Sequence, residues 1–218
     1  MPFFNFFRKS NKKYSKSSSS RNEMNEVFGD PSLQEKRVAA ATDVMRLFDK
    51  FFNPTEEDVH VETVLFSAAC LAGTSLFRSF GYSQNTEPGT VVLSDQANQA
   101  GSNLMKLFMF FIQKYGVSLK PNQLVTTFSN SNKPQMTILQ IQENLQGSYH
   151  AIMEKHGLSY LDGARAGIVV CSMLFDHHCI DRKDIDLGLG AGIIGRGLVE
   201  GSKTTPFPLD TNKATMNL

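Results

Sequence analysis

Residues 186–201 restrict the fold more than any other part of the sequence, because they include six glycines. A glycine inside an exposed helix costs about 1 kcal/mol relative to alanine, so a helix here needs compensation from close neighbours. At about 100° per residue, the glycines fall on two opposite stripes: Gly188, Gly192 and Gly195 on one, and Gly190, Gly197 and Gly201 on the other. Small residues let neighbouring backbones approach closely. The segment therefore predicts a helix that is packed tightly on both sides.

A similar stripe of small residues lies upstream. Gly163, Gly167 and Cys171 recur every four residues in an apolar segment, which places them on one face of a helix. We expect this helix and the glycine-rich helix to form a close-packed central pair near the C-terminus.

Apolar periodicity and capping residues predict six amphipathic helices. Thr137 and Gln140, for example, have the spacing of a capping box, and Gly157 ends the helix that they begin. The predicted helices cover residues 30–53, 55–80, 94–116, 137–157 and 159–179, and the last runs from 181 or 184 to 202. Residues 117–136 are rich in turns, and 124–128 fit either a short helix or a strand. Six helices joined mostly by short loops indicate an all-α fold, a single compact bundle.

Charge divides the chain into a basic tail and a mildly acidic body. The first 22 residues contain six basic side chains and no acidic one, which leaves sixteen basic against twenty-one acidic residues in the rest. Residues 1–29 are rich in Ser, Lys and Asn and lack apolar periodicity, so we expect them to be disordered in isolation. Residues 30–202 should form the helical domain, and residues 203–218 an extended C-terminal tail.

The basic tail has the composition of a contact segment. Four phenylalanines are followed by a row of cations: Phe3, Phe4, Phe6, Phe7, Arg8, Lys9, Lys12, Lys13 and Lys16. Each cation near an anionic lipid surface contributes about 1 kcal/mol, so such a membrane surface is one candidate partner. A protein partner, an organellar transit peptide and an inert spacer fit the same composition. Nucleic acid is disfavoured because the acidic body offers no supporting basic patch.

One short motif resembles a nucleotide site. Residues 190–195 read Gly-Ala-Gly-Ile-Ile-Gly and match the G-x-G-x-x-G fingerprint, which requires a strand before it and a helix after it. Residues 181–186 are mostly charged and show no strand pattern. Helix packing is therefore the favoured interpretation of these glycines.

A histidine–cysteine cluster offers candidate metal ligands. His177, His178 and Cys179 are suitable for zinc, but adjacent helical side chains point about 100° apart and would not converge on one ion. We favour a polar helix C-terminus, where histidine suits the helix dipole. Glu57 and His60 match the Glu-x-x-His spacing of di-iron bundles, although a second such pair is missing. We expect no cofactor, no metal and no catalytic residue.

The lack of a catalytic motif favours a non-enzymatic protein, and the cysteines and apolar runs bear on its location. Three cysteines leave one over in any disulfide scheme, and Cys70 and Cys171 lie in apolar surroundings, which indicates a reducing, cytoplasmic setting. The tail leaves membrane association or organellar import open. The longest uncharged apolar-rich run, residues 64–77, is shorter than the roughly 18–20 residues that cross a bilayer and predicts a core helix.

We therefore expect a helical adaptor or structural subunit of a larger protein assembly, acting through contacts with other protein subunits. The first alternative is a peripheral membrane protein anchored by its basic, aromatic tail. The second is a metal- or nucleotide-binding enzyme.

Overall fold

The computed structural model of the chain describes residues 27–53, 59–82 and 86–209. These ranges contain six α-helices: α1 (Gln34–Phe52), α2 (Val61–Ser79), α3 (Asp95–Lys114), α4 (Ile138–Lys155), α5 (Tyr160–Phe175) and α6 (Leu187–Lys203). A π-helical turn, Asp176–Asp181, continues α5. Within the same ranges the only β pairing is one antiparallel bridge between Val91 and Thr204. The predicted all-α bundle of six helices is confirmed.

Side-chain caps place several helix starts where the sequence predicts them. Ser94 and Ser159 each accept a hydrogen bond from a backbone N–H in the first turn of α3 and α5. Thr137 accepts from the N–H of Gln140, and the Gln140 amide oxygen accepts from the N–H of Thr137 at 2.8 Å. Such reciprocal bonds satisfy two amides that have no partner inside the helix.

Three predicted details differ from the structure. The second helix was expected from Thr55, but α2 begins at Val61 with His60 as its cap, and residues 54–58 lie outside the described ranges. Helix α6 is capped by Asp186, not by Asp181 or Asp184. Residues 124–128 form neither a helix nor a strand, and the backbone of Val125 packs against α6 instead.

Helix α2 occupies the centre of the bundle. Residues 63–77 are buried without interruption, so this helix is covered on every side. Its length and composition would allow it to cross a membrane, yet 83% of its most apolar window is buried by the rest of the protein. A core helix has the same properties.

Helices α5 and α6 both pack on α2. A Cβ atom at Gly197 would lie 2.7 Å from the carbonyl oxygen of Phe66, and one at Gly73 would lie 2.6 Å from that of Leu198. On the other side of α2, a Cβ atom at Gly167 would lie 2.6 Å from the Cβ of Ala72. The glycines therefore allow near-contact between backbones.

The predicted pairing of the fifth helix with the sixth needs correction. Helix α6 meets the α5 region over a small area, which includes Gly190 beside Phe175 and Cys179. Its partner along most of its length is α2, and α5 occupies another face of the same central helix. Helical periodicity identifies a stripe that packs closely, but it does not say which neighbour covers the stripe.

The other glycine stripe of α6 faces a loop. Gly188 and Gly192 lie against the backbone of residues 123–125, and the Val125 N–H donates to the carbonyl oxygen of Gly188 at 3.1 Å. The packing around Gly195 is looser, because a Cβ atom there would meet only the end of the Met105 side chain, at 3.6 Å.

The segment after α6 is extended and attached to the bundle. Thr205 donates its N–H to Thr90 and accepts one from Gly89, both at 2.9 Å. Farther along, the carbonyl oxygen of Phe207 accepts hydrogen bonds from Arg78 and Gln146. Residues up to 209 are described here.

Candidate functional site

A groove of about 540 Å³ opens at the N-terminal end of α2. It lies where four parts of the chain meet: the end of α1, the start of α2, the loop before α4 and the loop before α6. Within the described ranges, it is lined by Phe52, Val59, His60, Val61, Glu62, Thr63, Gln135, Met136 and Asp184. Concave sites of this size, with apolar walls and a few polar groups, are the usual places where proteins bind ligands.

His60 holds one wall of the groove in place. Its Nδ1 accepts the backbone N–H of Thr63 at 3.3 Å and lies 2.9 Å from the Thr63 hydroxyl. That hydroxyl oxygen accepts the backbone N–H of Gln135 at 2.9 Å. Because a backbone N–H can only donate, Nδ1 is the acceptor, and the proton of the neutral ring resides on Nε2. His60 thus connects the cap of α2 to the loop before α4.

Asp184 is positioned by the π-helical turn that follows α5. Its carboxylate lies 2.8 Å from His178 Nδ1 and 3.1 Å from Arg182 Nε. The hydrogen bond from His178 lowers the pKa of Asp184, so this carboxylate is charged at neutral pH. Burial lowers the pKa of His178, and the bond to Asp184 opposes that effect. π-Helical turns are frequent at functional sites.

The groove combines apolar walls with negative charge. Phe52, Val59, Val61 and Met136 are partly buried against the core. Glu62 and Asp184 add two carboxylates whose side chains are 17% and 24% exposed. Asp184 already pairs with His178 and Arg182, whereas the basic neighbour of Glu62 is His60, at 3.6 Å. Such a surface suits a ligand that carries an apolar group next to a cation, with Glu62 as the main carboxylate for that cation.

The predicted metal candidates do not converge. The rings of His177 and His178 meet edge to face at 4.7 Å, and His178 is bonded to Asp184. Cys179 is buried next to Gly190, and burial raises the pKa of its thiol to about 12. In the part of the chain that the structure describes, no group of three or more His, Cys, Asp or Glu side chains could hold a metal ion.

The nucleotide-like motif lies inside a helix. Residues 190–195 belong to α6, and no named strand precedes them within the described ranges. Gly190 faces Cys179, and Gly192 faces the backbone of Val125. Protein neighbours therefore occupy the space that a phosphate would need.

A second charged cluster, here called the arginine clamp, lies at the other end of α1 and consists of Arg37, Asp162 and Arg165. Asp162 Oδ1 lies 2.6 Å from Arg37 NH2 and 3.2 Å from Arg165 NH1. Arg37 also donates to the carbonyl oxygen of Phe28 at 3.0 Å. Gly29 has a φ of +70°, and a Cβ atom there would lie 2.6 Å from Arg37 NH2, so a side chain at this position would be strained.

Burial alone would raise the pKa of Asp162, but hydrogen bonds from Ser159 and Arg37 outweigh it and leave that pKa below its ordinary value. The clamp is closed by residues 27–29, and its groups are engaged by the protein itself. We interpret it as structural.

No local sequence pattern marks the groove. Its polar residues come from three separate stretches of the chain, at 60–63, 135 and 184. The tail residues singled out from the sequence, from Phe3 to Lys16, lie outside the described ranges.

No protein-family model, curated protein or solved structure matches this chain.

Proposed function

We propose that the protein is a non-enzymatic helical adaptor, or a structural subunit of a larger assembly, that binds a short segment of a partner protein in the groove. The observation that supports this proposal is the groove itself, with apolar side chains from α1, α2 and the loop before α4 beside two carboxylates. Short peptides commonly bind by placing an apolar side chain in such a groove.

The chemistry of the groove defines the partner segment. An apolar side chain would pack against Phe52, Val61 and Met136, while a lysine or arginine beside it would pair with Glu62 or Asp184. Opposite charges at the rim of an interface contribute mainly to specificity and association rate. The apolar contact supplies most of the affinity.

Replacing Met136 by Arg tests this proposal, because it places a bulky cation in the groove. We expect Met136→Arg to abolish capture of partner proteins from the native cell lysate, as measured by affinity purification and mass spectrometry. Met109→Arg is the matched control, since Met109 on α3 is also partly buried against the core. Melting temperatures of both variants separate loss of binding from loss of folding. Partners retained by Met136→Arg and lost by Met109→Arg would contradict the proposal.

The basic, aromatic tail supports a second candidate, a peripheral membrane protein. Six cations near an anionic surface would together contribute several kcal/mol at low salt, at about 1 kcal/mol each. Co-sedimentation with anionic vesicles should then decrease as salt shortens the Debye length from about 10 Å at 0.1 M to about 3 Å at 1 M. Changing Phe3, Phe4, Phe6 and Phe7 to Ser should remove the salt-resistant part. Failure of the wild-type chain to bind at low salt would eliminate this candidate.

A metal- or nucleotide-binding enzyme is the third hypothesis. Stoichiometric zinc in the purified protein that is lost on changing His177 to Ala would promote it. We expect less than one tenth of an equivalent.

A further inference from the structure

We propose that, in the free chain, the groove is occupied by the protein's own N-terminal segment, residues 3–13. This inference rests on the proposed function of the groove as a binding site for a peptide with an apolar group and a cation. A partner protein would then have to displace this segment before it could bind.

The segment has the chemistry that the groove requires. Phe3, Phe4, Phe6 and Phe7 can supply the apolar group, and Arg8 and Lys9 follow directly. No acidic residue occurs before Glu23, whereas acidic residues exceed basic ones by five in the rest of the chain. Charge complementarity therefore favours this segment over other parts of the sequence.

The segment is long enough to reach the groove. The arginine clamp fixes residues 27–29 beside Arg37, in the first turn of α1, and Phe52 ends the same helix at the groove. At about 1.5 Å per residue, these two points on α1 are about 22 Å apart. Fourteen Cα-to-Cα steps separate Val27 from Lys13, and an extended chain of that length spans about 46 Å.

Attachment to the same chain also favours occupancy. A binding segment on a short linker has an effective concentration on the order of millimolar, so even a weak contact would fill the groove. Phosphorylation of the serines at 10, 15 and 17–20 would add negative charge to the segment and weaken its pairing with Glu62 and Asp184. Release of the segment would then expose the groove to a partner.

Photo-crosslinking of the full-length chain tests the proposal. Phe4 is replaced by the photoreactive amino acid benzoylphenylalanine, the purified protein is irradiated, and the crosslinked peptides are mapped by mass spectrometry. We expect crosslinks within one chain from position 4 to Met136, Val59 or Val61. The yield should decrease as salt is raised, since the contact includes surface charges.

Glu62→Lys and Glu35→Lys form a matched pair of variants for this experiment. Each residue is an acid in the first turn of a helix, α2 and α1 respectively, so both changes perturb a helix dipole in the same way. We expect Glu62→Lys to lower the yield of groove crosslinks about fivefold, the equivalent of about 1 kcal/mol for a surface charge contact. Glu35→Lys should leave the yield unchanged.

Two results would overturn the inference. The first is that no crosslink maps to the groove, or that Glu62→Lys and Glu35→Lys change the crosslink yield equally. The other is groove crosslinks that join two chains, which would assign the occupant to a second copy. The proposed function has a separate test, because Met136→Arg can abolish capture of a partner whether or not the segment occupies the groove.

Discussion

Charged side chains lie near both ends of α1. The two sites differ in whether the protein closes over them. At the first turn, Arg37 in the arginine clamp is only 1% exposed, and the carbonyl oxygens of Phe28 and Val27 accept hydrogen bonds from Arg37 and Arg165. At the last turn, Glu62 and Asp184 border an open groove with apolar walls. In the clamp, Asp162 pairs with two mostly buried arginines, although Arg37 Nε has no hydrogen-bond partner among the described residues. At the groove, Asp184 pairs with His178 and Arg182 and Glu62 lies 3.6 Å from His60, but both carboxylates remain partly exposed beside apolar walls.

This difference suggests how to distinguish carboxylates that stabilise the fold from carboxylates that bind a partner. A carboxylate inside a closed cluster should affect the free energy of unfolding strongly and binding only indirectly. A carboxylate at the groove should affect binding and leave the fold nearly unchanged. The following predictions test that distinction, from the largest expected effect to the smallest.

Asp162→Asn should lower the free energy of unfolding by about 3–5 kcal/mol, because it leaves the buried guanidinium of Arg37 without its carboxylate. Asp184→Asn is the matched control at the groove, and we expect it to cost less than about 1 kcal/mol. Urea denaturation of the two variants at pH 7 measures both values. Similar losses in both would show that the two clusters do not differ in this way.

Gly192→Leu should destabilise the protein by about 2–3 kcal/mol, because its side chain has to displace the backbone at Val125. Gly195→Leu makes the same change three residues later, where the nearest atom is the flexible end of Met105, and should cost much less. The melting temperatures of the Gly192→Leu and Gly195→Leu variants measure this difference. Equal melting temperatures would mean that residues 123–125 are not packed against α6.

Acid should remove the contribution of the clamp. The pKa of Asp162 in the folded protein is below its ordinary value of 3.8, so the stabilisation is present above that value and is lost as the pH falls through the lowered pKa. The pKa of Asp43 is also lowered, by hydrogen bonds from His156 and Lys155, so acid weakens a second carboxylate contact as well. The difference in unfolding free energy between wild type and Asp162→Asn should therefore shrink between pH 5 and about pH 2. A difference that stays constant would argue against a charged Asp162 in the clamp.

The helices could be predicted from the sequence because their signals are local. Ser94, Thr137 and Ser159 cap helices within three residues of themselves, and apolar residues mark the buried faces. The glycine stripes of α6 could also be recognised, but their neighbours could not. Residues 123–125 and helix α2 are more than sixty residues away in the sequence.

The two charged clusters could not be predicted for the same reason. Arg37 and Asp162 are separated by 125 positions, and no local pattern connects them. The groove unites Phe52, His60, Met136 and Asp184 from four stretches. No local sequence pattern joins these four stretches.

Glu62→Lys should change the free energy of unfolding by less than about 1 kcal/mol, because it alters a partly exposed charge in the first turn of α2. His177→Ala should have an equally small effect, since His177 is exposed. Urea denaturation checks both values. A loss of several kcal/mol in Glu62→Lys would indicate that the groove is a structural cluster like the clamp.

The central claim is that the groove recognises an apolar and basic protein segment, and methionine methyl NMR of the full chain tests it most directly. The chain is prepared with Phe3, Phe4, Phe6 and Phe7 changed to Ser, so that its own tail does not compete, and a synthetic peptide of residues 2–16 is added. We expect a saturable shift of the Met136 methyl signal, while the signals of Met109 on α3 and of buried Met153 on α4 stay in place. A Met136 signal that does not move, or that moves only together with the other two, would contradict the claim.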